Sequence, residues 1–126
     1  MERLKMTTCP TTPNCVSSLA GDPQHHIRPM RLKAPAEMAW EKLKIALGEE
    51  RGIKIVAEEK PVWYLHAEAS SRVFGFVDDV EFQLQPEEKT IQVRSASRVG
   101  YWDLGVNRRR VERIRERLKA LGVVSD

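Results

Sequence analysis

Alternation of apolar and polar residues is clearest between residues 77 and 97. Val80, Phe82 and Leu84 recur at every second position, as do Ile91, Val93 and Ser95 beyond a charged turn that contains Pro86. A period of two predicts a hairpin of strands 77–85 and 90–97. Closing the loop between Gln85 and Thr90 pairs Leu84 with Ile91, Phe82 with Val93 and Val80 with Ser95 on one buried face. The same register sets Asp78 opposite Ser97 on the core side and Glu81 opposite Arg94 on the solvent side. A second hairpin is expected from strands 53–58 and 62–69 around the turn EEKP.

Two segments follow the helical period instead. Pro35 suits a first helical position, and Ala36, Ala39, Trp40, Leu43 and Leu47 then form one stripe. Val111, Ile114, Leu118 and Leu121 form another, with Asn107 expected to cap the first free amides and Gly122 following the end. Residues 26–33 read as a strand that Pro29 confines to an edge or a bulge. The order is β-α-β-β-β-β-α, an α+β domain with a single antiparallel sheet of about five strands and two helices packed on it. Residues 1–24, rich in Thr, Ser and Pro, show neither period. They are expected to form a loop or arm carrying a Cys motif, leaving 25–126 as the single domain.

A chain of 126 residues has room for one core. Hydrophobic residues at 41% and charged residues at 31% exclude a disordered or fibrous class. No run approaches the ~20 apolar residues of a membrane span. Met1 to Ser18 also lacks the apolar centre of an export signal, which predicts a soluble, cytoplasmic protein. The net charge of +3 says little about partners, because 21 basic and 18 acidic residues are interleaved. Arg108, Arg109, Arg110, Arg113, Arg115 and Arg117 are the exception, and on one helix they could neutralise phosphates. Glu112 and Glu116 lie at helical spacing beside Arg109 and Arg113, however, and aromatics are not interleaved with basic residues on a strand. The pattern predicts a salt-bridged solvent face and argues against nucleic-acid binding.

Residues 94–112 are the densest polar stretch. With Asp78 they supply Ser95, Ser97, Arg98, Asp103, Asn107 and Arg110, expected to form a structural polar network, since a buried acid needs a partner and guanidinium groups pair well with carboxylates. Asp78 should pair with Arg98 or Arg110, whereas Asp79, next to it in a strand, points to the opposite face. Two carboxylates on opposite faces do not share a site, and no catalytic residue is assigned. Cys9 and Cys15, a candidate thiol pair, enclose five residues and could bridge or hold a metal. In the cytosol reduced thiols packing a loop are expected. His25 and His26 would complete four soft ligands, but Cys-x5-Cys followed by His-His is not a zinc spacing, so no metal is expected. With neither GxxxxGK[ST] nor GxGxxG present, no nucleotide cofactor is expected either, and no cofactor of any kind is assigned.

Three blocks, CPTTPNCVSS at 9–18, FGFVDDVEF at 74–82 and RSASRVGYWDLGVNRRRVE at 94–112, together resemble the signature of the domain-of-unknown-function 1499 family. The blocks are long and ordered, and with the segments between them the resemblance runs from about Cys9 to Leu121. It implies no particular reaction, ligand or catalytic residue, none being established for the family. Many members carry an N-terminal export or membrane-anchor segment that this sequence does not show, in keeping with the cytoplasmic expectation.

Phe74, Phe76, Arg98, Tyr101 and Trp102 lie in loops beside the scaffold, where binding residues commonly sit. They predict a cleft for a small ligand or a protein partner, its aromatics at the wall and arginines at the rim. The leading expectation is a non-catalytic binding or interaction module. Its competitors are a hydrolase or thiol-dependent enzyme using Cys15 with a histidine and Asp78 or Asp103, and nucleic-acid binding through the arginine helix.

Overall fold

Alternating side chains lay the two hairpins side by side in one antiparallel sheet. In the computed structural model, which describes residues 4–71 and 75–126, the chain runs β1 (Cys15–Ser17), β2 (Met30–Arg31), α1 (Ala36–Glu49), β3 (Ile53–Glu59), β4 (Tyr64–Ser70), β5 (Val77–Gln85), β6 (Thr90–Ser97) and α2 (Val106–Ala120). The sheet order is β1-β6-β5-β4-β3, and β2 also pairs with β6. In the central hairpin Leu84 faces Ile91, Phe82 faces Val93, Val80 faces Ser95, Asp78 faces Ser97 and Glu81 faces Arg94. That is the register the alternation requires.

Six strands are described rather than about five. The additional one, β1, lies in the N-terminal arm, where residues 1–24 were expected to lack regular structure; Cys15–Ser17 pairs antiparallel with residues 94–96 of β6. Three residues are too few for a periodic signal. The strand expected over 26–33 contracts to Met30–Arg31, which pairs with the other end of β6. Pro29 has no N–H to give a ladder, and the carbonyls of Arg28 and Pro29 accept from the Arg115 side chain instead.

Both helices cover the same sheet face. Trp40, Leu43 and Leu47 of α1 and Val111, Ile114 and Leu118 of α2 pack with Leu65, Phe82, Leu84, Ile91 and Val93, all fully or almost fully buried. Burial of each such side chain stabilises by roughly 1.5–3 kcal/mol. The opposite face carries a ladder of polar pairs. Tyr64 Oη donates to Glu81 (2.6 Å), Arg94 donates to the other Glu81 oxygen (2.9 Å), and His66 Nε2 lies 2.7 Å from Asp79. The N-terminal arm crosses this face, where the Lys5 amide donates to Gln83 and Lys5 Nζ sits over the Tyr64 ring.

Asn107 does not cap α2: Gly105 holds the cap position, and Asp103, two residues earlier, meets the free amides. Its carboxylate accepts from the amides of Gly105 (2.8 Å) and Asn107 (3.1 Å), and its carbonyl accepts from Val106 N. Leu104 and Gly105 adopt left-handed φ angles of 55° and 78° to make this turn. Asn107, already inside the helix, is therefore free to turn inward.

Candidate functional site

Strand β5 sends Asp78 to the core face at the end of the sheet nearest the start of α2, where Arg110 comes down to meet it. Arg110 Nη2 lies 2.9 Å from Asp78 Oδ2, with side chains only 10% and 14% exposed. Arg110 Nη1 donates to Asn107 Oδ1 (2.8 Å) and to Ser95 Oγ (3.2 Å). Ser95 Oγ donates to Asn107 Oδ1, and Asn107 Nδ2 donates to Ser97 Oγ (3.0 Å), to Asp103 Oδ2 (2.9 Å) and to the carbonyl of Asn14 (3.2 Å). Asp78, Ser95, Ser97, Asp103, Asn107 and Arg110 thus form one connected knot. Burial pushes the Asp103 carboxyl pKa up, but the Asn107 side chain and the Gly105 and Asn107 amides outweigh it and hold the group below its ordinary value.

Arg98 does not join this knot. Being one residue further along than Ser97, it crosses to the other face, where it grips Asp79 through Nε (2.9 Å) and Nη2 (2.8 Å) and reaches Glu68 (2.7 Å). The bidentate Arg98 grip, with a further bond from His66, depresses the Asp79 pKa against the opposing effect of burial. Of the two arginines open to Asp78, the structure uses Arg110.

A cleft of about 800 Å³ opens over the knot. Asp78, Ser97, Asp103 and Arg110 form its polar floor, and Phe76, Val99, Trp102, Leu104 and Val106 its apolar wall. Trp102 is 73% and Leu104 86% exposed, high values for large apolar side chains. Tyr101, expected at this site, is not among the lining residues and stacks edge-on against Trp102, with ring centroids 4.9 Å apart. Phe74 lies outside the described residues. Sequence reading missed Val99, Leu104 and above all Asn14, which is 3% exposed and donates to the carbonyls of Val99 (3.3 Å) and Gly100 (2.9 Å). The only signal for Asn14 was its place inside the CPTTPNC block.

The expectation of reduced thiols is overturned, because Cys9 and Cys15 form a disulfide. Cys15 is buried on the outer face of β1 opposite Ala96. No free cysteine is present among the described residues, so the proposed thiol nucleophile is already consumed. Nor do the described residues contain a group of three or more His, Cys, Asp or Glu able to hold a metal. His25 instead pins the bridged loop, with Nε2 2.8 Å from the carbonyl of Thr12 and Nδ1 2.6 Å from Asp22. Both neighbours accept, which favours the doubly protonated ring. The Thr12 carbonyl, and Asp22 after it, raise the His25 pKa against desolvation.

The arginine helix is internally committed. Arg113 and Arg117 bind Glu50, a buried residue just after α1, at 3.2 and 2.5 Å, rather than Glu112 or Glu116. Burial raises the Glu50 pKa, and Arg117 with Arg113 more than reverses that. Arg109 donates to the Leu104 carbonyl, and Arg108 to those of His26 and Gln24. Arg115 is fully buried, giving bonds to the carbonyls of Arg28 (2.7 Å) and Pro29 (3.1 Å) and to Glu112 (2.8 Å).

No helix of the described residues is long and apolar enough to cross a membrane. No curated protein and no solved structure matches the chain. Residues 5–118 match the profile of a family described as protein of unknown function (DUF1499). That span takes in all six strands, α1, and α2 as far as its last core residue, Leu118, so the chain belongs to the domain-of-unknown-function 1499 family.

Proposed function

We propose that the protein is a non-catalytic binding module whose cleft, between the β5–β6 hairpin and the start of α2, takes a small apolar or aromatic molecule. The observation that carries this reading is the wall itself. Phe76, Val99, Trp102 and Leu104 are each more than half exposed around one concave site. Proteins rarely leave such apolar groups together in water without a use. Small-molecule sites are concave and mostly apolar with a few polar groups, and about 800 Å³ falls within their usual range.

The alternatives have less support. Arg108, Arg109, Arg110, Arg113, Arg115 and Arg117 all bond within the fold, which leaves little to release counterions from a nucleic acid. A thiol enzyme would first need its Cys9–Cys15 bridge reduced. For location, the cytoplasmic reading of the sequence conflicts with that bridge, since cytosolic thiol buffers oppose stable disulfides. The bridge favours an oxidising compartment, and thiol trapping in cells decides between them.

Native mass spectrometry of the protein from its own cells tests the function. A bound small organic molecule, lost in Trp102→Ala while the fold persists, is the expected result. An empty protein that also fails to bind an environment-sensitive apolar dye, or binds it equally in Trp102→Ala, refutes the cleft.

A further inference from the structure

Asp78, Asp103 and Arg110 line the cleft, and each is already engaged inside the fold. Arg110 is engaged by Asp78, Asn107 and Ser95. Among the described residues Asp103 has no cationic partner; its two oxygens accept from the Gly105 and Asn107 amides and from Asn107 Nδ2, at the favourable end of the α2 dipole. The floor therefore offers an anionic head no free cation, and an ammonium head only a carboxylate whose two oxygens already accept from donors.

From this arrangement we infer that the cleft selects an amphipathic molecule with a neutral hydrogen-bonding head, a hydroxyl, carbonyl or amide, over the carboxylate or ammonium analogue with the same apolar body. The inference rests on the cleft being a binding site, as proposed above. A carboxylate head at the floor would lose water without gaining an ionic partner, unless it broke the Asp78–Arg110 pair and left Asp78 buried and uncompensated. An ammonium head would have to compete with the Gly105 and Asn107 donors for Asp103 or break the same pair. A neutral head meets neither penalty. Ser97 Oγ, which accepts from Asn107, keeps its own proton to donate to a ligand oxygen. Ser70, at the side of the cleft, adds a second hydroxyl. Phe76, Trp102 and Leu104 receive the body.

Naphthalenemethanol, naphthoate and naphthylmethylammonium hold the aromatic body constant while changing only the head. Titration calorimetry of each against the full chain near neutral pH, with Trp102→Ala in parallel, separates the two levels of the claim. The alcohol should bind about tenfold or more tighter than either ion, with affinity that falls at least about tenfold in Trp102→Ala. If either ion binds as tightly as the alcohol and still depends on Trp102, head-group selection is wrong and the cleft stands. If none of the three shows Trp102-dependent binding, both the selection and the cleft are wrong.

Discussion

Replacing Asp78 by alanine removes one half of an ion pair whose other half cannot leave. Arg110 is anchored in α2 and held in the polar knot, its side chain only 10% exposed. Removing one partner of a buried pair costs about 3–5 kcal/mol, because the remaining charge is left without its counter-ion. Arg110 retains Asn107 Oδ1 and Ser95 Oγ as acceptors, and water in the cleft can approach the vacated space. Both effects place Asp78→Ala at the low end, about 3 kcal/mol. Asp79→Ala is the internal control, one residue away on the opposite face. Its partner Arg98 is 45% exposed and keeps Glu68, so the loss should be about 1 kcal/mol or less. With a urea slope of about 2 kcal/mol per molar, Asp78→Ala should move the midpoint down by about 1.5 M and Asp79→Ala by about 0.5 M or less. In Asp78→Ala/Arg110→Met the loss should be smaller than the sum of the single variants, since no orphaned charge remains. Equal midpoints for the two aspartate variants would refute both the register and the buried pair.

Cys9→Ser/Cys15→Ser should cost about 2 kcal/mol, the chain-entropy value for a cross-link with a sequence separation of 6; an unchanged midpoint in non-reducing urea titration would show that the bridge does not constrain the unfolded chain. Arg115→Ala should lose about 3 kcal/mol, because the carbonyls of Arg28 and Pro29 lose their donor and a fully buried side chain is truncated; a loss within about 0.5 kcal/mol, the range of ordinary surface substitutions, would contradict that anchoring role. The His25 pKa is raised in the folded state, so its stabilisation is complete below the unfolded value of about 6.5 and is lost as pH rises through the higher folded value. Urea midpoints of the wild type should therefore fall relative to His25→Gln as pH is taken upward through this range, and parallel pH profiles would show that the Asp22–His25–Thr12 clasp does not stabilise the fold.

The parts of the fold legible in the sequence were those with a repeating signal. Val80, Phe82 and Leu84 against Ile91 and Val93 determine one register because a slip by one residue would turn every core side chain to solvent. From that register the inward direction of Asp78 followed, and the helical wheel left Arg110 close enough to meet it. Strand β1 had no such signal, being three residues held by pairing to β6. Asn107 illustrates a different failure. Its type and position suit a cap, but Asp103 four residues earlier takes the helix start and Asn107 becomes the hub of the knot. Charge spacing on α2 likewise suggested a solvated ladder with Glu112 and Glu116. Tertiary packing instead directs Arg113 and Arg117 to Glu50 across the helix pair and buries Arg115 against the chain entering β2.

The exposed wall of the cleft and the polar knot beneath it have a common structural origin. Trp102 and Leu104 sit in the connection between β6 and α2, a segment that would gain stability by folding its apolar groups inward if it were free to do so. It is held from several directions instead. Asn14 binds the carbonyls of Val99 and Gly100, the Ser97 amide donates to the Asn14 carbonyl, the Arg98 amide donates to Val77, and Asp103 ties the far end to α2. Asn14 is itself fixed beside Cys15, which is both bridged to Cys9 and paired in the sheet. If the cleft binds as proposed, a main chain already fixed by these bonds has less freedom to lose when a ligand covers Trp102 and Leu104, so less of the gain is spent on entropy. Under the proposed function the buried polar network serves binding by holding apolar groups where a partner, rather than the protein itself, can cover them.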